Sequence, residues 1–551
     1  MLKLSYAEGV IVAKAQQVEK LSTKYLDLYY VYSFDVGSPV SIRDLIDALL
    51  STGVGVCALV YIPRSEVEKY RESGWRVLPH DPTSWIVPVL YPSQVSEQYI
   101  KYFTVRGSVD TQLMDEMYLE RSEFARIHLG KVKVLRLARS GLDKVGMVLT
   151  DRYCPITGYL ELLVHESGIF TLTLWFPIRG EISSTEVIDL RYRLEIEGSL
   201  YSIYKDVLKV NILLRYGKEI ELGPLPYVVV RDIGGEERYL RVADVLEMYA
   251  NYIRYLVLLK RGSRVSSLTE LENNMRNPWN TFFTILFTEV LKGERKFIEV
   301  LRRYYAQLYA MTYLHRGVIP HSIVSRSLSS TYARTVELMD FSRGRVRRVA
   351  PRITLVLSED EAHIVSVQKR YIGRGEMGKK LRLLNITIME FLNIVRHLLK
   401  TLDYLLTSKK LNDIDALTRF REEFSRATDY LSNCFYLKDA ESRRLFNHCV
   451  KVFRVDDLAS LVNSKFESLN YVMLTRYQDR ITKMQLLLTI VFGIFAIPSI
   501  LFFYWEWFYD YVLTGESTAL LPVTILSFFP IVPVLAVILY LYRKWKKEVF
   551  M

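Results

Sequence analysis

A stripe of small and polar residues runs along one apolar segment near the end of the chain. Its members recur every three or four positions, which is the spacing of one helix face: Gln485, Thr489, Gly493, Ala496, Ser499, Phe503 and Glu506. Small residues of this kind let helices pack closely. In a ring of identical subunits the same stripe would line a pore, where Glu506 would form an acidic collar that concentrates cations. The pattern leaves both interpretations open.

A glycine-rich segment provides a second chemical motif. Gly373, Gly375 and Gly378 satisfy the spacing GxGxxG, and Lys379 extends it to GxxxxGK. A phosphate-binding loop with the pattern GxxxxGK needs Ser or Thr at the next position to bind magnesium, and the chain has Lys380 there. We interpret the segment as a hinge before a helical region, with ATP binding as the alternative.

The motifs of common enzymes are absent from the sequence. It contains no nucleophile–base pair, HExxH, GxSxG or kinase set, so we predict no enzymatic activity and no catalytic residue. The four cysteines lack CxxC spacing, and neither a zinc site nor a covalently bound cofactor is expected. Abundant Arg, Lys and Glu with little glutamine is typical of thermophiles.

Positive charge is concentrated in the middle of a basic chain. The formal net charge is +12, and five arginines lie between Arg343 and Arg352. Nucleic acid, an anionic lipid surface and a solvated loop would each explain such a run. Because no aromatic residues interleave with it and no RNA-binding motif is present, we expect no nucleic-acid partner.

Two uncharged apolar runs, Met484–Trp505 and Ala519–Tyr542, dominate the C-terminal region. Each exceeds the roughly 20 residues that cross a bilayer as a helix. Basic residues such as Lys483 precede the first run, basic residues such as Lys544 follow the second, and the connection is acidic. This asymmetry predicts a multi-pass protein of the cell membrane, with the lipid bilayer as a partner and both termini cytoplasmic.

The pattern of the whole chain predicts an α+β cytoplasmic body, a helical bundle with a long stalk helix, and a C-terminal two-helix transmembrane hairpin. The predicted domains are an N-terminal α/β domain at 1–145, a second mixed α/β domain at 146–375, a helical bundle and stalk at 376–483, and the hairpin with a basic tail at 484–551. In the second domain, helical patterns cover about 237–260 and 280–313.

Several elements of the body have clear local signals. Tyr25–Phe34 alternates like a strand, and Ser41 is placed to cap a short helix. Two hairpins are predicted, which join Gly158–His165 to Gly168–Pro177 and Ile353–Leu357 to His363–Val367.

The stalk helix is predicted from a long row of apolar residues that begins just after Asp457. Its members have a mean spacing of about 3.7 residues, close to one face of a straight or slightly right-handed helix: Leu458, Val462, Phe466, Leu469, Met473, Tyr477, Ile481 and Met484. No Gly or Pro interrupts the row before Gly493. We therefore expect one continuous helix that runs into the first apolar run.

The C-terminal third resembles the CorA-type two-transmembrane transporters of magnesium and other divalent metal ions. Leu488–Pro498 is similar to the family's first span, and Lys544, Lys546 and Lys547 resemble its basic tail. The family's Gly-Met-Asn signature, which holds a hydrated magnesium ion at the pore entrance, is absent, and Tyr504–Phe508 occupies its place. The resemblance implies a homo-oligomer, a pentamer as in the family, that conducts a divalent cation through the stripe.

If the protein is such a channel, Asp456 and Asp457 at the base of the stalk would bind regulatory cations, which would be magnesium or another divalent ion. Favourable negative charge at a helix N-terminus is the alternative interpretation. Two hypotheses follow for the function. The first is a divalent-cation channel, and the second is a non-transporting, membrane-anchored binding or scaffold protein whose hairpin is a tether and an oligomerisation element.

Overall fold

The computed structural model describes residues 21–37, 41–92, 94–116, 124–138, 156–230, 239–290, 353–357, 361–366, 376–408, 414–433 and 453–508, with isolated positions between 304 and 311 and between 443 and 451. The chain divides into two compact units, Met1–Val462 and Asn463–Met551. The first unit contains a large sheet with helices on both faces. The described part of the second belongs to one long helix.

Twelve strands in the described ranges form one sheet. They are β1 (Ser22–Asp35), β2 (Cys57–Pro63), β3 (Arg76–Val77), β4 (Ile86–Tyr91), β5 (Phe124–Leu137), β6 (Ile156–His165), β7 (Ile169–Ser183), β8 (Ser199–Tyr204), β9 (Tyr227–Val229), β10 (Thr281–Val290), β11 (Ile353–Leu357) and β12 (Glu361–Ser366). Their order is β11-β12-β10-β1-β7-β6-β5-β2-β4-β3, and β8 joins β5 to β9. Neighbouring strands are antiparallel except β10 and β12, which are parallel.

Helices cover the two faces of this sheet. They are α1 (Ile42–Ser51), α2 (Val67–Glu72), α3 (Glu97–Glu116), α4 (Ser184–Tyr192), α5 (Lys205–Tyr216), α6 (Val242–Lys260), α7 (Leu268–Asn273), α8 (Glu376–Thr407) and α9 (Ile414–Asn433), and α10 (Val455–Phe508) follows them. α1, α4, α5 and α6 contribute to an apolar core on one face. α3 and α8 pack together on the opposite face.

The two faces differ in chemistry, as alternate residues of β1 show. Leu26, Leu28 and Phe34 point into the apolar core. Asp27 and Ser33 point the other way and bond with side chains of α8. Successive side chains of a strand point to opposite faces, so this one strand supplies both an apolar layer and a buried polar layer.

Strong local signals predicted several elements correctly. β1 contains the expected strand Tyr25–Phe34, and the side chain of Ser41 accepts a hydrogen bond from the backbone N–H of Asp44 at the start of α1. Both predicted hairpins form, since β6 pairs with β7 and β11 pairs with β12 in antiparallel register.

The predicted helix at 280–313 is wrong in its first ten residues. Thr281–Val290 is strand β10, which pairs with β1 on one side and with β12 on the other. Phe283, Ile285 and Phe287 are buried on one face of this strand and Leu286 on the other. Because both faces are covered, the strand lacks the alternation that distinguishes it from a helix.

The α+β body and the helical C-terminal region are confirmed, but the transmembrane hairpin is not. Among the residues that the structure describes, no helix is long and apolar enough to cross a membrane. Met484–Trp505 is instead the last part of α10, which carries charged residues in its earlier turns and Pro498 within the run. The second run, Ala519–Tyr542, lies outside the described residues.

Two further predictions depended on the transmembrane hairpin. The predictions of a multi-pass membrane location with cytoplasmic termini, and of an ion channel, are wrong on the same finding. They rested on the length of an uncharged run. Run length ignores the polar side chains of Gln485, Thr489 and Ser499, which recur along α10.

Within the described residues, three histidines are buried on the polar side of the sheet. His165 contacts the Ser167 hydroxyl at 2.6 Å through Nδ1 and the Tyr430 hydroxyl at 3.1 Å through Nε2. Burial lowers the pKa of His128 to about 4 and the pKa values of His165 and His397 to about 3. All three imidazoles are therefore neutral in the folded protein at neutral pH.

We expect the stability of the fold to decrease with acidification. Unfolded imidazoles titrate near pH 6.5, so unfolding takes up protons below that value. Stability that is fully present above about pH 6.5 is lost progressively towards the folded pKa values. The His165→Gln variant should lose about 1.4 kcal/mol less per pH unit below about pH 6. Urea unfolding of both proteins at several pH values measures this difference.

Carboxyl groups that titrate in the same range contribute equally to the native protein and the variant, so the difference isolates the imidazole. Parallel pH profiles for the two proteins would contradict the assignment of a neutral, buried His165.

Candidate functional site

The predicted stripe lies on one side of α10. Gln485, Thr489 and Ser499 are exposed, and the two hydroxyls donate hydrogen bonds to backbone carbonyls one turn earlier, at 2.8 Å for Thr489 and 3.0 Å for Ser499. Gly493 and Ala496 are also exposed. Phe503 and Glu506 belong to the same helix, but their side chains lie outside the described residues. The stripe is thus one helix face, and the described chain builds no pore around it.

The two predicted cation ligands occupy the first turn of α10. Asp456 and Asp457 are both exposed, and Asp457 accepts a hydrogen bond of 3.2 Å from Arg454 Nε. Negative charge in this position complements the helix dipole. No group of three His, Cys, Asp or Glu side chains within the described residues could hold a metal ion. A regulatory cation at these residues stays a prediction.

The remaining motifs add no site within the described chain. Gly373 and Gly375 lie outside the described residues, and α8 begins between them and Gly378. Cys57 and Cys449 are buried free thiols. Burial raises the pKa of Cys57 to about 12, which leaves the thiol protonated and unreactive.

The sequence interpretation missed a buried cluster of charged side chains between the sheet and helices α3 and α8. Glu390 Oε2 lies 2.6 Å from Arg106 Nη2 and 2.7 Å from Arg126 Nη2. Its other oxygen accepts a hydrogen bond of 2.6 Å from Thr173. The side chain of Glu390 is fully buried, and each of the two guanidinium groups is 1% exposed.

Asp110 is the second carboxylate of this cluster. Arg126 donates to both of its oxygens, and Tyr61 and Thr387 donate to it as well. Burial alone would raise the pKa of Asp110, but the ion pairs with Arg126 and Arg106 outweigh it and hold the pKa below its usual value. Asp110 therefore stays ionised inside the protein.

Glu161 is the third carboxyl group, and its electrostatics are different. Glu161 Oε2 lies 4.0 Å from Arg106 Nε, too far for a hydrogen bond. Burial raises the pKa of Glu161, and the nearby Arg106 and Arg126 compensate only in part. The same burial acts on Glu390, where direct contact with both guanidinium groups keeps the pKa low.

The cluster is assembled from residues far apart in the chain. Arg106 and Asp110 are one turn apart on α3, Arg126 lies on β5, Glu161 on β6 and Glu390 on α8. A signal was present on α8, where polar residues recur at helical spacing within a buried face: Glu390, Asn393, His397 and Thr401. Polar residues on a buried helix face need partners on the surface that they cover.

α10 has the opposite character, because large apolar side chains on it are exposed. The exposed fraction is 72% for Tyr471, 53% for Tyr477, 61% for Leu486 and 69% for Phe492. Contiguous apolar surface that is exposed to water usually marks an interaction site. α10 thus presents apolar surface, whereas the charge cluster of the body is enclosed.

In comparisons with known proteins, no family model, no curated protein and no solved structure matches this chain. Its function therefore has to follow from its own residues.

We expect the Glu390→Ala variant to be strongly destabilised. The change leaves two buried guanidinium groups without their shared carboxylate, a loss of about 3–5 kcal/mol. The control is Glu68→Ala, which breaks the exposed pair between Glu68 and Arg71 on α2 and should have a much smaller effect. Urea unfolding followed by circular dichroism measures both. Similar midpoints for the two variants would rule out a structural role of the cluster.

Proposed function

We propose that the protein is a self-associating scaffold, in which α10 holds several copies together and each copy contributes its α+β body as a binding module. The observation that carries the proposal is the exposure of large apolar side chains along α10, which reaches 72% at Tyr471 and 69% at Phe492. Removing such surface from water is the main driving force of protein association.

The geometry of α10 suits contact with other helices along its length. The apolar row that begins at Leu458 and ends at Met484 stays on one side of the helix because its spacing is about 3.7 residues. Repeats of that period favour straight or slightly right-handed bundles. Beyond Met484, apolar side chains such as Leu486, Leu488 and Ile490 are exposed on several sides, so more than one neighbouring helix would be needed to cover them.

A second copy of the same chain is the partner that the row fits best. Identical rows match each other when copies are arranged around a rotation axis, and closed symmetric assemblies of one chain are the commonest oligomers. Asp479 and Lys483 pair with each other at 3.5 Å on another side of the helix.

The energetics allow such an assembly. Burying one large apolar side chain contributes about 1.5–3 kcal/mol, whereas association costs about 4–15 kcal/mol of translational and rotational freedom. Several buried side chains are therefore required in each copy. Tyr471, Leu474, Tyr477, Met484 and Leu486 alone provide five that are at least half exposed.

The proposal predicts that positive charge in the apolar row dissociates the assembly. The double variant Tyr477→Arg, Met484→Arg would place like charges opposite each other in a desolvated contact, and we expect association to weaken by more than about 100-fold. Light scattering after gel filtration measures the mass, in a non-ionic detergent that suppresses non-specific aggregation. The variant should have the 64.4 kDa mass of one chain.

The matched control places the same two charges elsewhere on the helix. Ser460 and Ser464 are exposed, lie away from the row and precede Tyr471 by two to three turns, so Ser460→Arg, Ser464→Arg should keep the mass of the native assembly. A native protein that is monomeric at about 10 µM would contradict the proposal, as would equal dissociation of both double variants.

A further inference from the structure

Five aromatic rings form one continuous group between α3 and the polar face of the sheet. Along this group, the ring centroids are 4.8 Å apart for Tyr99 and His128, 6.5 Å for His128 and Tyr159, 5.5 Å for Tyr159 and Trp175, and 6.4 Å for Trp175 and Tyr102. Tyr102 and Tyr99 are three residues apart on α3 and so share one side of that helix; the series of rings, here called the circle, therefore begins and ends on the same side of α3.

The sheet holds its three members of this circle in fixed register. Tyr159 of β6 is directly opposite Trp175 of β7, and His128 of β5 is directly opposite Glu161, two residues along β6 from Tyr159. All four side chains therefore point to the same face. Glu161 thus lies beside the rings and is hydrogen-bonded to Tyr102 of the circle.

The circle is accessible from the surface on one side. Tyr99, Tyr102, Tyr159 and Trp175 are half-buried, in contrast to the fully enclosed charge cluster next to them. Lys131 is exposed, and its Nζ lies 5.8 Å from the centre of the Tyr159 ring. At least one ring of the circle therefore already has a cation next to it.

The charges next to the circle are not balanced. Within the described residues, the buried cluster has two guanidinium groups, Arg106 and Arg126, and three carboxyl groups, Asp110, Glu161 and Glu390. Glu390 contacts both guanidinium groups and Asp110 contacts Arg126, so their hydrogen bonds are largely used. Glu161 has no guanidinium group within hydrogen-bond distance. The cluster thus holds one carboxyl group more than it holds guanidinium groups, and Glu161, the carboxyl group without a directly bonded guanidinium, lies beside the aromatic rings.

His128 adds an independent sign of an unfilled site. It is 3% exposed, yet neither of its ring nitrogens has a hydrogen-bond partner among the described residues. Buried polar groups without partners are rare in folded proteins. Because its pKa lies far below 7, the ring is neutral and would not repel a cation.

We propose that this circle of rings, which we name the aromatic site, binds a small organic cation of the ammonium type, with Glu161 as its counter-ion. The faces of Trp and Tyr rings attract weakly hydrated cations such as substituted ammonium ions. A divalent metal ion prefers several oxygen ligands, and the described residues hold no group of three that could supply them. The inference is independent of the self-association through α10.

The test compares two ligands of the same shape that differ in charge. Choline carries a quaternary ammonium group, and 3,3-dimethylbutan-1-ol replaces its nitrogen with carbon. Calorimetric titration of the purified full-length protein should show choline binding at least about tenfold more tightly than the alcohol. Equal affinities, or no binding of choline up to about 50 mM, would overturn the proposal.

Variants locate the binding and separate it from general destabilisation. Glu161→Gln keeps the shape of the side chain and removes its charge, and Tyr159→Leu removes one ring. Each should weaken choline binding at least about tenfold. The control Trp279→Leu removes an aromatic side chain that is 72% exposed and should leave the affinity unchanged. Circular dichroism verifies that each variant is folded.

Lys131→Ala provides a test with the opposite sign. The variant removes the cation that already lies over Tyr159, so choline should bind severalfold more tightly than it binds the native protein. Misfolding does not produce tighter binding. A decrease in affinity for this variant, or unchanged affinity in both Glu161→Gln and Tyr159→Leu, would place the ligand elsewhere.

Discussion

Glu390 fixes helix α8 to the sheet. Its carboxylate forms ion pairs with Arg106 from α3 and Arg126 from β5, and it accepts a hydrogen bond from Thr173 on β7. Arg106 also donates to the backbone carbonyl of Leu383, two turns earlier on α8. An unpaired charge inside a protein is strongly unfavourable, so α8 has one position along the sheet at which all of these groups are satisfied. The placement of α3, α8 and the central strands depends on it.

The same helix contacts the sheet through polar groups over several more turns. Asn393 donates to the Ser33 hydroxyl at 2.8 Å, and His397 Nδ1 lies 2.9 Å from the Thr281 hydroxyl. Buried polar contacts contribute little net stability because desolvation offsets much of their strength. The favourable free energy comes mainly from the apolar core on the other face of the sheet. The apolar face of the sheet therefore stabilises the body, and the polar face determines where α3 and α8 pack on the sheet.

The sequence contains local patterns, and these determined which elements could be predicted. Tyr25–Phe34 alternates because its two faces differ, so the strand was identified correctly. Thr281–Val290 carries apolar side chains on both faces, so its sequence does not alternate. Arg106 and Glu390 are separated by 284 positions, and a single sequence gives no reason to bring them together. Met484–Trp505 was wrongly predicted to cross a membrane. The length of an uncharged run describes composition only, and not the helix to which the run belongs.

The charge cluster and the aromatic site have a common origin. Three carboxyl groups share one buried neighbourhood, but direct ion pairs lower the pKa of Asp110 and Glu390, whereas burial raises that of Glu161. The difference arises because fixing α8 uses the guanidinium groups of Arg106 and Arg126. Glu161 is left with aromatic neighbours, which exclude water without supplying charge. A carboxyl group in that position becomes neutral by binding a proton or stays ionised by binding a cation, and the surrounding rings favour the cation.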